Sequence, residues 1–264
     1  MKIAASETLA CGKPGAPERE FEDAVATTDP KSRWTFRAAV ADGASSTAFA
    51  RKWAHCLVSA FCGGDFDALW TTDGRRPTAL MRPLDTAALD VALEAPQTVW
   101  SQWVSQQEIL PFDRKNVQVG AAATVAGLVL RDDRRGFERQ RRWAALLIGD
   151  SCLARITRKR LRFFGPYTRS TDFSTRVPLV CSRPRPRKEC PDAWRTVAGD
   201  WEIGDSFLLM TDAVSKWWLQ EYERRRRVEL FENLSRAQFQ EWVYAEQRQN
   251  RLNIDDVTVH RISV

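Results

Sequence analysis

The chain is poor in the groups on which several common chemistries depend. It has 2 histidines in 264 residues, too few for a hydrolase built on imidazole bases. His55 has no cysteine or second histidine at metal-ligand spacing and reads as structural. The 6 cysteines, Cys11, Cys56, Cys62, Cys152, Cys181 and Cys190, form no C-x-x-C pair, which argues against a thiolate zinc module. Cys56 and Cys152 lie in apolar stretches and read as small core residues. There is no G-x-S-x-G, no Walker loop and no kinase-type glycine loop, so nucleophile-elbow hydrolases, P-loop enzymes and kinases fall away. No apolar run reaches the roughly 18 residues that span a bilayer. The start, Met1 to Glu7, lacks the apolar centre of a signal peptide. A cytoplasmic protein without membrane contact is expected. No internal repeat is visible.

What is present suits a globular enzyme. The length favours one domain over 1–264, and an apolar fraction of 44% supplies a large core, with 11 tryptophans as bulky anchors. A net charge of +6 is consistent with an acidic partner or with a solvated basic surface. The arginine-rich loops carry charge but no nucleic-acid reading motif, so nucleic acid is disfavoured.

The organising stretch is Trp34 to Ser46. Trp34, Phe36, Ala38 and Val40 share one parity, and Asp42 closes it. Gly43 permits a sharp turn, and Ser45 or Ser46 is placed to cap a helix from about Thr47 to Phe61. The pattern recurs. Ala144, Leu146 and Ile148 lead to Asp150; Ser206, Leu208 and Met210 lead to Asp212. Asp255 opens a strand with Val257 and Val259, and Glu22-Asp23 opens one with Val25. A lone strand-end Asp is usually a turn residue. Several on apolar parities suggest carboxylates converging on metal ions from the inner faces of two sheets.

Elsewhere, Ile3 to Leu9 reads as a strand, Cys11 to Glu20 as a loop, and Gly63-Gly64 as a helix stop. Asp73 to Pro77 is a loop. Asp85 to Gln107 is a helix broken or kinked at Pro96. Val119 to Arg131 and Arg142 to Asp150 are strands around a polar hairpin loop, 132–140, and Cys152 to Thr157 is another strand. The segment 166–201 reads as irregular, with a basic extended stretch at 182–188. Phe207 to Thr211 and Asp256 to Ser263 are strands. Helices are expected from Ser215 to Glu223, ahead of the charge run 224–227, and again beyond a Ser235 cap.

Glu22-Asp23-Ala24, Ala41-Asp42-Gly43, Gly120 to Val125, Gly149-Asp150-Ser151, Thr211-Asp212-Ala213 and Asp255 to Val259 together resemble the ordered motifs of the protein phosphatase 2C (PPM) family, over about Gly12 to Val264. The resemblance implies an α+β fold, a four-layer αββα sandwich of two antiparallel sheets flanked by helices. It implies metal-dependent hydrolysis of phosphoserine and phosphothreonine in proteins, using Mn or Mg, without a phosphoenzyme. The partner would be a phosphoprotein, reversing a serine/threonine kinase, and the enzyme a monomer. The segment 166–201 would be the family's variable region.

The same resemblance implies residue roles. Asp42 would bridge two ions, with the Gly43 carbonyl as a further ligand. Asp212 and Asp255 would complete one shell, and Asp23 and Glu22 the other. Asp150 with Asp212 would hold a third, weaker ion. Lys13 and Arg19, in the loop before Glu22, are candidates to hold the substrate phosphate. Of the adjacent acids, parity favours Asp255 over Asp256 as the ligand. A competing reading is a catalytically silent module that binds phosphoproteins.

Overall fold

In the computed structural model both faces of the strand Thr35–Gly43 are buried. It describes residues 3–31, 34–70, 82–83, 86–111, 113–135, 138–158, 160–165, 167–173, 177–184, 195–224 and 231–264. Phe36, Ala38 and Val40 pack in one apolar cluster, Ala39 and Ala41 in another. A strand apolar on both sides needs a layer on each, and the fold supplies them.

The elements in order are β1 (Ala5–Cys11), β2 (Asp23–Thr27), β3 (Thr35–Gly43), α1 (Ala50–Gly63), β4 (Arg82–Pro83), α2 (Thr86–Ser105), α3 (Arg114–Val119), β5 (Ala122–Arg135) and β6 (Glu138–Ile148). Then follow β7 (Cys152–Ile156), β8 (Leu161–Phe164), β9 (Val180–Cys181), β10 (Arg195–Asp200), β11 (Ser206–Met210), α4 (Asp212–Glu223), α5 (Arg236–Arg248) and β12 (Val257–Ser263). One sheet runs β1-β12-β11-β7-β8; the other runs β2-β3-β5-β6-β10-β4, with β9 on β5. The ladders are antiparallel. Between the sheets lie Phe36, Val40, Leu128, Trp143, Phe207, Leu209 and Ile262. Trp53 and Phe61 of α1 and Trp100 of α2 cover the outer face of the β3 sheet. Trp217 and Trp218 of α4 and Phe239 of α5 cover the other sheet. This is the expected αββα sandwich.

Several expected boundaries move. The hairpin loop 132–140 is mostly strand: Asp132 pairs with Arg141 and Asp133 with Gln140. Asp132 is 2% exposed but takes the Arg139 guanidinium at 2.6 Å, so its charge is satisfied within the ladder. The segment 166–201 holds β9 and β10. β10 runs unbroken through Gly199, a residue that weakens a strand pattern in the sequence and is required here because a Cβ would come within 2.8 Å of the Trp143 indole nitrogen. Helix α2 continues through Pro96. Helix α4 begins at Asp212, earlier than expected. The loop 73–77, most of the stretch 182–188 and residues 225–227 lie outside the described residues. Among the described residues no helix is long and apolar enough to cross a membrane.

Helix α1 starts at Ala50, not near Thr47, and neither Ser45 nor Ser46 caps it. Its N-cap is Phe49, left-handed at φ 59°, with no side-chain cap. Ser45 Oγ instead donates to the Glu22 carboxylate. The C-terminal stop is as expected, with Gly64 at φ 98°.

Candidate metal centre

Asp23 and Asp42 face each other across the end of the β2–β3 ladder. Asp42 shares parity with Phe36, Ala38 and Val40, which face the other sheet, and Asp23 shares parity with Val25. Gly43 follows because α1 starts against it; a Cβ there would lie 2.8 Å from the Ala50 carbonyl carbon. Two like charges directly opposed on a ladder are destabilising unless compensated.

The other acids arrive differently. Leu146 and Ile148 face α1 and α2, while Leu208, Met210, Val257 and Val259 face α4 and α5. Their apolar parities therefore point away from the gap between the sheets. Asp150 reaches the cluster after the chain turns at Gly149, φ 81°, where a Cβ would strike Thr124 at 2.5 Å. Asp212 is the first residue of α4, where the positive end of the helix favours a carboxylate. Asp255 precedes β12. Inner-face reasoning holds for Asp23 and Asp42 and fails for these three, which come from the turns beyond their strands.

The acids nevertheless feel one another. Burial, then the charges of Asp23, Asp212, Asp150 and Asp255, lift the Asp42 carboxyl well above its ordinary range. Burial, then Asp256 and Asp212, do the same to Asp23. Burial, Asp212 and Asp255 bring Asp150 to about 8. Burial and Asp255 bring Asp212 to about 6. Glu22 is raised by burial, against the Ser45 hydrogen bond and the Lys13 charge.

Asp23 is 2% exposed. Its Oδ2 accepts from Thr211 Oγ1 at 3.1 Å, and that hydroxyl takes the Thr258 N–H at 3.1 Å. Its Oδ1 is buried without a hydrogen-bond partner among the described residues. Crowded carboxylates with an orphaned oxygen fit a cation. An all-oxygen donor set suits Mg or Mn better than Zn. Among the described residues no three Asp, Glu, His or Cys side chains stand together as a ready-made cage.

Lys13 joins this cluster. Its Nζ lies 3.0 Å from Asp255 Oδ1, 3.7 Å from Glu22 Oε2 and 3.3 Å from Ser45 Oγ. Burial opposes its charge, but Asp255, Asp256 and Glu22 outweigh that and hold it at about 12. Arg19 sits in a short 3-10 turn, Glu18–Glu20, exposed. Both line a cavity of about 660 Å³ beside Glu22 and Ser45.

Asp256 is no bystander. It is 4% exposed and accepts the Glu22 N–H at 2.8 Å and the Lys13 N–H at 3.0 Å. Sequence reasoning missed this role, along with those of Thr211 and Thr258. Thr211 and Asp256 were marked only by adjacency to Asp212 and Asp255, and Thr258 by nothing local; hydrogen-bond partners far along the chain leave no local pattern.

The sequence pattern of the family described as Protein phosphatase 2C matches residues 18–253. No curated protein matches the chain. Among solved structures, the M. tuberculosis serine/threonine phosphatase PstP/Ppp is 14% identical, with a TM-score of 0.57 over 99% of each chain. The S. agalactiae serine/threonine phosphatase is 9% identical, with a TM-score of 0.55 over 98% of this chain and 100% of that one. The PstP catalytic domain in complex with 2 manganese ions is 15% identical, with a TM-score of 0.53 over 99% and 98%. At these identities the likeness is one of fold.

Proposed function

The chain belongs to the protein phosphatase 2C family, and from that premise we propose that it hydrolyses phosphoserine and phosphothreonine in proteins with two Mn or Mg ions. The observation that carries the proposal is the placement of Asp42 directly opposite buried Asp23 across the β2–β3 ladder, where Asp42 also feels the charges of Asp212, Asp150 and Asp255. Buried acids opposed at one end of a ladder are suited to share cations. The structurally similar PstP domain is described with two manganese ions, which supports the same metal class here.

When bound, the ions supply an acidified water and neutralise charge on the phosphoryl oxygens. This chain's residues would hold them as follows. Asp42 would be shared between them, helped by the Gly43 carbonyl; Asp212 and Asp255 would hold one ion, Asp23 and Glu22 the other, and Asp150 with Asp212 a third, weaker one. Thr211 keeps Asp23 oriented through its hydroxyl. Asp256 fixes the main chain at Lys13 and Glu22, so the phosphate-facing loop and a ligand move as one. Lys13 and Arg19 remain the candidates to meet the substrate phosphate.

The expected protein is a cytoplasmic, single-domain monomer whose substrate is a phosphoprotein made by a serine/threonine kinase. Hydrolysis of p-nitrophenyl phosphate and of a phosphoserine peptide, with Mn and then with EDTA, tests it. Turnover should vanish in EDTA and return with Mn or Mg. Full turnover in chelator overturns the two-ion reading. Mn binding without turnover points to a phosphoprotein-binding role.

A further inference from the structure

The cavity beside the acid cluster has more to offer than one phosphate. Its near wall is Lys13, Glu22 and Ser45; its far wall is the start of α1, with Arg51 and Lys52, together with Trp103 of α2. Arg19 lines it from the Glu18–Glu20 turn. Arg19, Arg51 and Lys52 have no ion-pair partner among the described residues. Arg51 is directed by a hydrogen bond to the Glu18 carbonyl at 3.1 Å, which ties the two walls together. Lys52 Nζ stands 5.6 Å over the Trp103 ring, and Phe49 meets that ring edge-on at 5.2 Å.

The placement of these cations is electrostatically unfavourable as it stands. The N-terminus of a helix carries positive partial charge and prefers acids. Helix α1 has no acidic residue in its first turn and no capping side chain, yet it opens with Arg51 and Lys52. The field they create is felt at His55, whose imidazolium is disfavoured by burial and then by Arg51 and Lys52. Of the acids on the cavity, Glu22 is already engaged by Ser45 and Lys13, leaving Glu20. Phe49, at the cap, holds a left-handed conformation that bulky residues rarely adopt. Such strain gathers at binding sites. A carboxylate entering here would meet cations that hold no ion pair among the described residues and the uncapped end of α1, while its methylenes would lie against Trp103 and Phe49.

We infer that this cavity is a subsite for an acidic side chain flanking the phosphoresidue of the protein substrate. The inference rests on the phosphatase reading above and specifies its substrate class: phosphoserine or phosphothreonine next to Glu or Asp. The phosphoester lies at the acid cluster, and the flanking side chain crosses the Lys13–Ser45 wall into the basic cavity.

The test uses the full chain with Mn and phosphoserine peptides of equal length, bearing Glu, Ala or Lys beside the phosphoresidue. p-Nitrophenyl phosphate reports separately on the underlying chemistry. At low salt the Glu peptide should exceed the Ala peptide roughly tenfold in kcat/KM, with the Lys peptide lowest. In Arg51→Glu and Lys52→Glu that ratio should fall to about one or invert. If wild type hydrolyses p-nitrophenyl phosphate but treats the Glu and Ala peptides alike, the subsite is wrong and the phosphatase reading stands. A preference for Glu that survives both reversals also overturns it. If p-nitrophenyl phosphate is not hydrolysed at all, the phosphatase reading falls and takes the subsite with it.

Discussion

The Lys13 ammonium stands 3.0 Å from the Asp255 carboxylate. On the proposed ligand assignment this ammonium would compete with a metal ion for Asp255. Lys13→Gln should tighten Mn binding severalfold, because Asp255 and Glu22 lose a competitor. Turnover should fall, because the phosphate loses a cation. Calorimetric Mn titration and the Mn dependence of the rate check both. Weaker Mn binding in the variant would mean that Lys13 orients Asp255 rather than competing for it.

Asp42 lies opposite Asp23 and is lifted by its neighbours. Asp42→Asn removes a charge that the metal-free fold tolerates poorly. Turnover should drop by roughly a hundredfold or more, while the metal-free protein melts at a higher temperature than wild type. Thermal denaturation with and without Mn separates the two effects. A variant that melts lower without metal would assign Asp42 a structural role instead.

Asp255 and Asp256 should part company in a way that parity did not foresee. Asp256 accepts two main-chain N–H groups, and an amide in its place can receive only one well. Asp256→Asn should cost about 1–3 kcal/mol of stability and loosen the loop carrying Lys13. Asp255→Asn should leave stability near wild type and weaken Mn binding. Urea unfolding and Mn titration of both variants decide the matter; equal stability losses would refute the division.

His260 gives the fold a pH signature away from the acid cluster. Burial lowers it from its ordinary 6.5 to about 4, and its ring nitrogens pair with Thr8 Oγ1 at 2.8 Å and Ser6 Oγ at 3.2 Å. The unfolded chain takes up a proton near 6.5 that the folded chain refuses until about 4. Stability from this group is complete above 6.5 and declines as pH falls towards 4, by up to about 3 kcal/mol. Relative to His260→Gln, wild type should lose stability across that window. Parallel unfolding curves at pH 7, 6, 5 and 4.5 read the difference, and identical slopes would place the proton elsewhere.

The β3 strand and the acids Asp23 and Asp42 were legible because strand parity reports directly on which way a side chain points. Asp150, Asp212 and Asp255 were legible as acids but not as geometry. In a four-layer sandwich each sheet is apolar on both faces, so an apolar parity does not say which face looks inward. Leu208 and Val257 look towards helices. Boundaries failed where tertiary contacts overrode local chemistry. Ser45 looked like a cap and serves Glu22; Asp132 looked like a turn residue and is held inside a ladder by Arg139. The Asp256 contacts were invisible because their partners lie at the other end of the sequence.

The order of strands in the Asp255 sheet bears on when the acid cluster can first form. β12, late in the sequence, lies between β1 and β11, and Asp255 and Asp256 stand at its threshold. Until that strand inserts, β1 lacks its partner, Lys13 and Glu22 lack their anchor, and the acid cluster is incomplete. A chain emerging from the ribosome would carry Asp23 and Asp42 for most of its synthesis, and Asp150 and then Asp212 for its later part, without forming the centre. Pairing across such long separations is slow. Mn binding should therefore appear only once β12 has paired, lagging behind the burst of β-structure in refolding and absent from fragments that stop short of β12.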